Sequence, residues 1–410
     1  MTDTVQKLRR ISRFIDDHRP LWTQRPFVDL PVPWESDWPE LSSVLRRLSE
    51  TELDAAEADP VGFLAVSGVA PALCAELAAL ATMPTLVTAA IEIPRRPAGV
   101  DDRKWRQIVH FNAAIANHLP SGVSYWVDWC SGKGHLGVAL NRQLGQPVRC
   151  IEINRDLVSA GNRCMNAEHR DVAFIAANVL TDDLTPHLTE AAGVVALHAC
   201  GHLNSRLFEL AITVRPGFLA VVPCCYQRID GMQFTPLSTA GKGTGLEFTR
   251  HQLRLPALDE VKTSVPRRRF RKREMAFRQG VDLLLREASG ADHYTPLGKI
   301  PPAMVRGGFE AFARYAAHNA GRSLPQQVNW PDAEAAGWQR QHLVRALSIS
   351  RQLFRRIIEV WLFFDRVAWL EENGYRVQYG TFCNREMTPR NLMLMATHSS
   401  SSMELPGGSG

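Results

Sequence analysis

The sequence predicts an α/β protein built on a parallel β-sheet, and three observations indicate this class. Short apolar runs alternate with helix-length segments between about residues 104 and 226, as in βαβ units. A glycine-rich turn follows the first apolar run and opens a helix. After a long gap, a helical pattern and two more strand-like runs close the pattern. A second mononucleotide-binding half is therefore not expected.

The individual elements follow from hydrophobic period and from turn residues. Helical spacing predicts a helix over 108–119, helix-like segments at 41–53 and 70–81, and one long helix over 342–372, which Gly374 would cap. Strand-like runs are predicted at 125–129, 148–153, 172–176, 194–198 and 218–223, followed late in the chain by 375–382 and 391–396.

Four regions are predicted along the chain. Residues 1–103 form a helical N-terminal region, and 104–228 with 340–398 form the α/β core. Residues 229–339 form a basic insertion, because a structureless loop of that length is uncommon in a compact domain. This insertion is interpreted as a lid subdomain, and the Ser/Gly-rich stretch 399–410 as a disordered tail.

Composition excludes several protein classes. The chain has 410 residues, 45% of them hydrophobic, a net charge of +5 and eight cysteines. It is too apolar for a disordered chain and too poor in cysteine for a disulfide scaffold. No apolar run approaches the roughly 18 residues of a membrane span, and the first residues lack the pattern of a signal peptide. We expect a cytoplasmic protein without a membrane partner.

The glycine-rich turn and its flanking polar residues indicate a nucleotide-like cofactor. Gly132 and Gly134 allow a ligand to approach backbone N–H groups at a helix N-terminus. Asp128 closes the first strand, where it can meet an amino group. Glu152 ends the second strand, where a carboxylate can accept both ribose hydroxyls, and Asn178 follows the third strand near an adenine edge. S-adenosylmethionine has an amino acid, a ribose and an adenine, and fits all three positions.

A nicotinamide cofactor is the alternative, because Gly132, Gly134 and Gly137 also match the dinucleotide spacing G-x-G-x-x-G. The acid at Asp128 argues against it, since a pyrophosphate has no use for a carboxylate. Glu152 alone does not exclude a dehydrogenase.

Histidine and cysteine residues follow the fourth and fifth strands and should meet at one sheet edge. Three interpretations stay open for this cluster: a substrate pocket in which His198 or Tyr226 removes a proton, a metal site, or structural packing. The Cys-Cys adjacency lacks the usual Cys-x2-Cys spacing, so no metal is assigned. The candidate catalytic residues are His198, Cys200, Cys224, Cys225 and Tyr226.

Four segments together resemble a known family. In order, 128–137 (DWCSGKGHLG), 197–201 (LHACG), 223–226 (PCCY) and 388–392 (TPRNL) are similar to a class I methyltransferase-domain family that includes the glutathione S-transferase C-terminal-domain-containing proteins. Other relatives modify RNA. The resemblance covers about residues 104–396 with a large insertion, and the first hundred residues lie outside it.

The resemblance implies a Rossmann-like, seven-stranded class I methyltransferase sheet that binds S-adenosylmethionine across the ends of its first four strands. Cys130 stands where the first glycine of the general class I pattern usually lies, so we expect a modestly different turn there. The implied cofactor-binding residues are Asp128, Cys130, Ser131, Gly132, Gly134, Glu152, Asn178 and His198.

A basic segment in the insertion predicts the partner. Six of the seven residues from 267 to 273 are positively charged and surround one aromatic ring. Arginine pairs with phosphate and stacks on bases, which favours looped RNA over a merely solvated basic loop. The candidate RNA-contacting residues are Arg267, Arg268, Arg269, Phe270, Arg271, Lys272 and Arg273.

The sequence therefore predicts an S-adenosylmethionine-dependent methyltransferase that modifies RNA, either tRNA or rRNA, and no DNA partner is predicted. The alternatives are methylation of a protein or small molecule, a non-catalytic module that binds the cofactor and docks RNA, and an NAD-dependent dehydrogenase.

Overall fold

The structure is a computed structural model that describes residues 2–168, 171–258 and 264–398. The predicted tail at 399–410 lies outside the described residues. Seven strands form one sheet, with bounds β1 (Tyr125–Trp129), β2 (Val148–Glu152), β3 (Val172–Ala176), β4 (Ala192–Cys200), β5 (Phe218–Cys224), β6 (Tyr375–Thr381) and β7 (Leu392–His398).

The sheet has the strand order β3-β2-β1-β4-β5-β7-β6. The first five strands pair in parallel, and β7 is antiparallel to both β5 and β6. The order reverses between β1 and β4, and ligands of open α/β sheets bind at the carboxyl ends of the strands beside such a reversal. The α/β class and the seven-stranded sheet are confirmed. Beyond β5 the sheet continues with the antiparallel strand β7, whereas a dehydrogenase would have a second mononucleotide-binding half there.

The α-helices in the described residues are α1 (Asp3–Asp17), α2 (Arg19–Thr23), α3 (Pro39–Arg46), α4 (Glu50–Ala58), α5 (Pro60–Val66), α6 (Pro71–Ala81), α7 (Asp102–His118), α8 (His135–Leu144), α9 (Arg155–Glu168), α10 (His202–Val214), α11 (Thr239–Lys242), α12 (Val265–Ser289), α13 (Pro302–Arg306), α14 (Phe309–Asn319), α15 (Trp330–Gln352) and α16 (Arg355–Glu372).

Two helix predictions were wrong because apolar periodicity continues across breaks. The helix expected at 342–372 is two helices, α15 and α16, separated at Leu353 and Phe354, which are both buried. The segment 41–53 is likewise divided between α3 and α4, where Ser49 and Glu52 form a capping box that starts the second helix. Gly374 has a left-handed backbone conformation after α16, as expected of a C-terminal cap.

The chain divides into two compact units. The first consists of residues 1–14, 81–257 and 358–410 and contains the whole sheet. One apolar cluster of this unit packs α7 and α8 against the sheet, with Trp126 of β1 and Phe218 of β5 in edge-to-face contact at 6.0 Å between ring centroids. This packing fixes the strands whose carboxyl ends carry the glycine-rich turn and the histidine and cysteine motifs.

The second unit consists of residues 15–80 and 258–357. The part of the predicted insertion described here is mainly helical, and Phe277 packs edge-to-face on Phe309 and Phe312 in its core. Arg345 of α15 forms ion pairs with Glu50 and Glu57 of α4, each at 2.8 Å. Segments that are distant in the sequence therefore share this unit.

Across the described ranges, no helix combines the length and the apolar character that a bilayer-crossing segment requires.

Candidate functional site

The loop after β1 has the backbone of a ligand-binding turn. Cys130, Gly132 and Gly134 all have positive φ angles of 60°, 58° and 71°. Cys130 thus adopts the left-handed conformation that usually favours glycine, so this position keeps a glycine-like backbone. A Cβ on Gly134 would lie 2.2 Å from the Phe174 ring, whereas one on Gly132 would meet nothing within 4 Å. Gly132 therefore borders open space that a ligand can fill.

Asp128 lies at the centre of this turn, at the end of β1. Its side chain is only 2% exposed and accepts a hydrogen bond from the Gly137 backbone N–H at 3.0 Å. Burial raises the pKa of Asp128 to about 7, partly offset by that hydrogen bond and by the positive charge of Lys104. A buried carboxylate with a single hydrogen-bond donor would be stabilised by a cationic ligand group such as an ammonium.

Glu152 and Asn178 lie at the ends of the two neighbouring strands. The Glu152 carboxylate accepts hydrogen bonds from the backbone N–H groups of Gly132 and Asn154, each at 2.9 Å. It therefore links the end of β2 to the glycine-rich turn. The Asn178 side-chain oxygen accepts from the Leu180 N–H at 3.1 Å, which leaves its amide nitrogen as the group that can donate to a ligand. The predicted ribose and adenine positions are thus at one edge with the turn.

Two apolar residues at this edge were missed by the sequence analysis. Ile153, directly after β2, is 62% exposed, and Leu180, in the loop after β3, is 42% exposed. Large apolar side chains exposed at a strand edge are typical of walls for a flat ring. Ile153 follows Glu152 directly, so its place beside a predicted ribose ligand was the available signal.

The ends of β4 and β5 are joined by backbone hydrogen bonds. Gly201 donates from its N–H to the Cys224 carbonyl at 3.0 Å, and His202 donates to the Arg228 carbonyl at 2.9 Å. Gly201 has a φ of 55°, and a Cβ there would lie 2.2 Å from the Arg228 carbonyl oxygen. The glycine in LHACG is thus required by the close approach of the loop that follows PCCY.

His198 is held by a residue that the sequence analysis did not identify. Its Nε2 lies 2.7 Å from the side-chain oxygen of Gln107 on α7, and the Gln107 nitrogen donates to the Met387 carbonyl at 3.2 Å. This orientation of the amide makes Nε2 the protonated ring nitrogen and leaves Nδ1 as a proton acceptor. Burial, assisted by the charge of Lys104, lowers the pKa of His198 to about 4, so the ring is neutral at pH 7.

The sulfurs of three cysteines lie close together: one cysteine belongs to the segment LHACG, which also contains His198, and two belong to PCCY. The sulfurs of Cys200, Cys224 and Cys225 all lie within 4.8 Å of one another, and those of Cys200 and Cys224 are 3.5 Å apart. Contact with the sulfurs of Cys200 and Cys224, and the nearby charge of Arg228, lower the pKa of Cys225. Contact with the Cys200 sulfur raises the pKa of Cys224. The cluster therefore favours one thiolate shared among three sulfurs.

Tyr226 takes a packing position. The residue is 3% exposed, and the guanidinium of the buried Arg366 lies 4.7 Å from its ring centroid. A cation–π contact of this kind stabilises the core. Its hydroxyl is therefore not presented to solvent as a proton acceptor for a substrate would be.

The predicted RNA-contacting residues lie on α12 in the second unit. Lys272 is ion-paired with Asp54 at 2.8 Å, and Phe270 packs against the apolar core of that unit. Both side chains are therefore engaged within their own unit. The residues left exposed on this stretch of α12 are Arg267, Arg269, Arg271 and Arg273.

Comparison with known proteins agrees with this arrangement. Residues 103–232 match the family model of a methyltransferase domain. Glutathione S-transferase C-terminal domain-containing proteins are similar to the chain: that of Mus musculus is 30% identical over 201 residues and that of Xenopus laevis 29% over 170. These alignments cover 47% and 41% of the chain but 30% and 27% of the relatives, so the chain spans less than a third of their length.

Two solved structures were also similar. The cyclopropane synthase MmaA2 from Mycobacterium tuberculosis matches with a TM-score of 0.25 and 13% identity, over 87% of this chain and 96% of that one. A geranyl diphosphate methyltransferase, solved with geranyl diphosphate and sinefungin, matches with a TM-score of 0.24 and 12% identity, over 45% of this chain and 65% of that one.

The residues at the sheet edge also fit the cofactor. An ammonium group would neutralise buried Asp128, the open face of Gly132 gives room for an amino-acid moiety, and Glu152 lies where ribose hydroxyls can be bound. Residues 103–232 are therefore similar to a methyltransferase domain, they form part of an α/β sheet of the class I order, and the residues at the sheet edge fit S-adenosylmethionine as the cofactor.

Proposed function

We propose that this protein transfers the methyl group of S-adenosylmethionine to RNA, either tRNA or rRNA. The observation that carries the methyltransferase part is the buried Asp128 carboxylate beside the open turn at Gly132. Its burial is unfavourable without a cationic ligand, and the amino group of the cofactor supplies such a cation. The exposed arginines of α12 support the RNA part.

The bound cofactor supplies an electrophilic methyl group, and the chain's residues bind and orient it. Asp128 holds the amino group, Glu152 the ribose hydroxyls, and the Asn178 amide nitrogen an acceptor atom of the adenine edge. Holding donor and acceptor in line lowers the barrier by removing the entropy of their encounter.

His198 is the residue placed to accept a proton. Its ring is neutral at pH 7, and Nδ1 is its acceptor nitrogen because Gln107 holds Nε2–H. A pKa of about 4 makes it a weak base. This strength suits an acceptor atom whose proton becomes acidic once the methyl group has been added.

The N-terminal half of α12 favours a phosphate-rich partner. Its first turn contains no acidic residue, and arginines follow from Arg267 to Arg273. The positive end of the helix dipole and these side chains have the same sign, which costs stability in the absence of an anion. RNA phosphates would reverse that repulsion, and arginine can also stack on unpaired bases.

Calorimetric titration of the purified protein with S-adenosylhomocysteine tests the cofactor. We expect micromolar binding, no comparable binding of NAD or NADP, and loss of at least about 100-fold, roughly 2.7 kcal/mol, in Asp128→Ala. Asp171→Asn is the matched control, because this exposed acid precedes β3 at the opposite edge of the sheet. Binding of NAD instead, or unchanged binding in Asp128→Ala, would contradict the assignment.

Transfer of labelled methyl from S-adenosylmethionine to tRNA and rRNA pools tests the acceptor. We expect RNA labelling that is lost in Asp128→Ala. Labelling of protein instead would keep the methyltransferase and overturn the RNA acceptor. RNA binding without turnover under any acceptor pool would favour a non-catalytic docking module.

The role of α12 is tested by the salt dependence of RNA binding. Arg267→Glu/Arg271→Glu reverses two exposed charges one helical turn apart and should lower the slope of log affinity against log salt by about 1 to 2. Arg47→Glu/Arg322→Glu makes the same charge change at exposed positions of the same unit and should preserve more of the affinity. Equal loss in both variants would indicate only a general charge effect.

A further inference from the structure

We propose that Cys200, Cys224 and Cys225 bind one Zn²⁺ ion through their sulfurs. The three sulfurs lie within 4.8 Å of one another at the ends of β4 and β5. They are contributed by two segments 24 residues apart, from Cys200 to Cys224. The methyltransferase reaction as derived above assigns these thiols no task.

The spacing of the sulfurs fits a tetrahedral thiolate site. A Zn–S bond of about 2.3 Å places two sulfurs of a tetrahedron about 3.8 Å apart. The sulfurs of Cys200 and Cys224 are 3.5 Å apart, and no pair in the cluster exceeds 4.8 Å. Small side-chain rotations would therefore suffice to close the three sulfurs around one ion.

The backbone explains how adjacent cysteines can share an ion. Successive side chains of an extended strand point to opposite faces, so Cys224 and Cys225 would normally diverge. Cys225 has a φ of 49°, which takes it out of the strand conformation. The turn it begins is closed by the Arg228 N–H donating to the Cys225 carbonyl at 2.9 Å. This strained residue brings the third sulfur into the cluster.

Charge around the cluster favours a thiolate-rich metal site. Three thiolates around a divalent cation carry a net charge of −1, and Arg228 and Arg390 are the cations that act on Cys225. Because the cluster already favours one thiolate, up to two further protons should leave for the buffer as the remaining two thiols bind Zn²⁺ as thiolates.

The fourth coordination position would be open. Within the described part of the chain, the metal-ligand cluster contains these three residues alone, and His198 Nε2 is engaged by Gln107. Cys200 and Cys225 are partly exposed, whereas Cys224 is buried. A zinc ion with three protein ligands and an open fourth position binds water or a substrate atom there, as reactive zinc sites do.

Metal analysis of the reduced full-length protein tests the site. We expect one zinc per chain after dialysis against Zn²⁺ and then against metal-free buffer. Replacement by Co²⁺ should give a thiolate-to-cobalt charge-transfer band, which only sulfur ligands produce. Calorimetry of Zn²⁺ binding in buffers of different ionisation enthalpy should show proton release. Absence of bound zinc, or a cobalt spectrum without the charge-transfer band, would overturn the proposal.

Matched cysteine variants locate the site. Cys225→Ser and Cys200→Ser should each weaken zinc binding by more than about 100-fold, beyond the usual cost of losing an outer-shell partner. Cys383→Ser, a cysteine of the same unit outside the cluster, should bind zinc like the wild type. Circular dichroism and S-adenosylhomocysteine binding monitor folding of each variant.

Zinc retained by both cluster variants would overturn the proposal. So would a Cys200–Cys224 disulfide in the protein as purified, detected as the loss of two hydrogens by mass spectrometry. Zinc content is measured without a methyl acceptor, so the zinc proposal can fail while the methyltransferase proposal survives. Likewise, the methyltransferase proposal can fail while zinc is bound.

Discussion

The turn after β1 and the junction of β4 with β5 are both loops at the sheet edge, but different kinds of contacts hold them in place. Both lie at the carboxyl edge of the sheet, and both contain non-glycine residues with positive φ angles: Cys130 in the first, and His198 and Cys225 in the second. The turn is held by carboxylates that accept backbone N–H groups, namely those of Asp128 and Glu152. The junction is held by backbone hydrogen bonds between two loops and by sulfur contacts.

The difference shows what each region can bind. Carboxylates that organise a turn remain available to cations and hydroxyls, which suits a cofactor with an ammonium and a ribose. Thiols clustered at a backbone junction offer little to such a ligand but suit a soft cation. The two regions therefore suit different ligands at the same sheet edge: the turn suits the cofactor and the junction suits a metal ion.

The largest expected effect is on the pH dependence of folding stability, and it comes from Asp128 in the turn after β1. Its pKa is raised from an ordinary value of 3.8 to about 7, so between these pH values the unfolded state is ionised while the folded state remains protonated. The carboxyl group then favours folding at pH 4 relative to pH 8, and stability falls as pH rises through this window. The total loss is at most about 4 kcal/mol.

Asp128→Asn should remove this dependence. Urea denaturation at pH 5 and pH 8, without cofactor, should show the variant more stable than the wild type at pH 8, with a smaller gain at pH 5. Asp171→Asn provides the control and should change little at either pH. A difference between Asp128→Asn and wild type that does not vary with pH would contradict the buried, uncompensated carboxyl group.

The next largest expected effect is on the unfolding free energy, when one glycine of the turn and one glycine of the junction are each replaced by alanine. Gly201 and Gly132 both have positive φ angles, 55° and 58°, so alanine at either position should carry a backbone penalty of about 1 kcal/mol, and more at Gly201, whose ψ of −116° lies outside the left-handed helical region. Only Gly201 lies where a Cβ would meet a backbone atom, the Arg228 carbonyl oxygen at 2.2 Å. Gly201→Ala should therefore cost about 3 kcal/mol of unfolding free energy in total.

Gly132→Ala should cost only the backbone part of this energy in the unliganded protein, but its Cβ would project into the open space assigned to the cofactor. Chemical denaturation of both variants, together with titration of S-adenosylhomocysteine, separates the two effects. Equal destabilisation by the two substitutions would show that the junction relaxes more easily than its backbone contacts indicate.

The turn could be predicted from the sequence and the junction only in outline, for a physical reason. The turn is local: the strand, the glycines and Asp128 lie within ten residues, and β1 begins and ends where its pattern predicted. The junction is assembled from loops more than twenty residues apart, so its pairing of Gly201 with Arg228 depends on tertiary packing. Periodicity also failed at Leu353, where a helix break is buried and no glycine or proline marks it.

Gln107 could not be found in this way, because a single glutamine on the buried face of an amphipathic helix looks like an exception to the pattern. Its position on α7 gives no sequence signal that it faces His198, which is 91 residues later. Only the fold shows that this helix packs beside the end of β4 and sets the orientation of the imidazole.

The smallest predicted effect on stability, about 1 kcal/mol, concerns this contact. Gln107→Leu removes the acceptor of the His198 Nε2–H, a net cost typical of one neutral hydrogen bond. The nitrogen chemical shifts of the imidazole report its tautomer, which should change from Nε2–H alone to a mixture. Methyl transfer should fall more than cofactor affinity, because the ring would no longer be held with Nδ1 as its acceptor. Gln143→Leu, an amide on α8, serves as the control. An unchanged tautomer in Gln107→Leu would show that something other than this glutamine orients His198, and would leave Gln107 as a packing residue only.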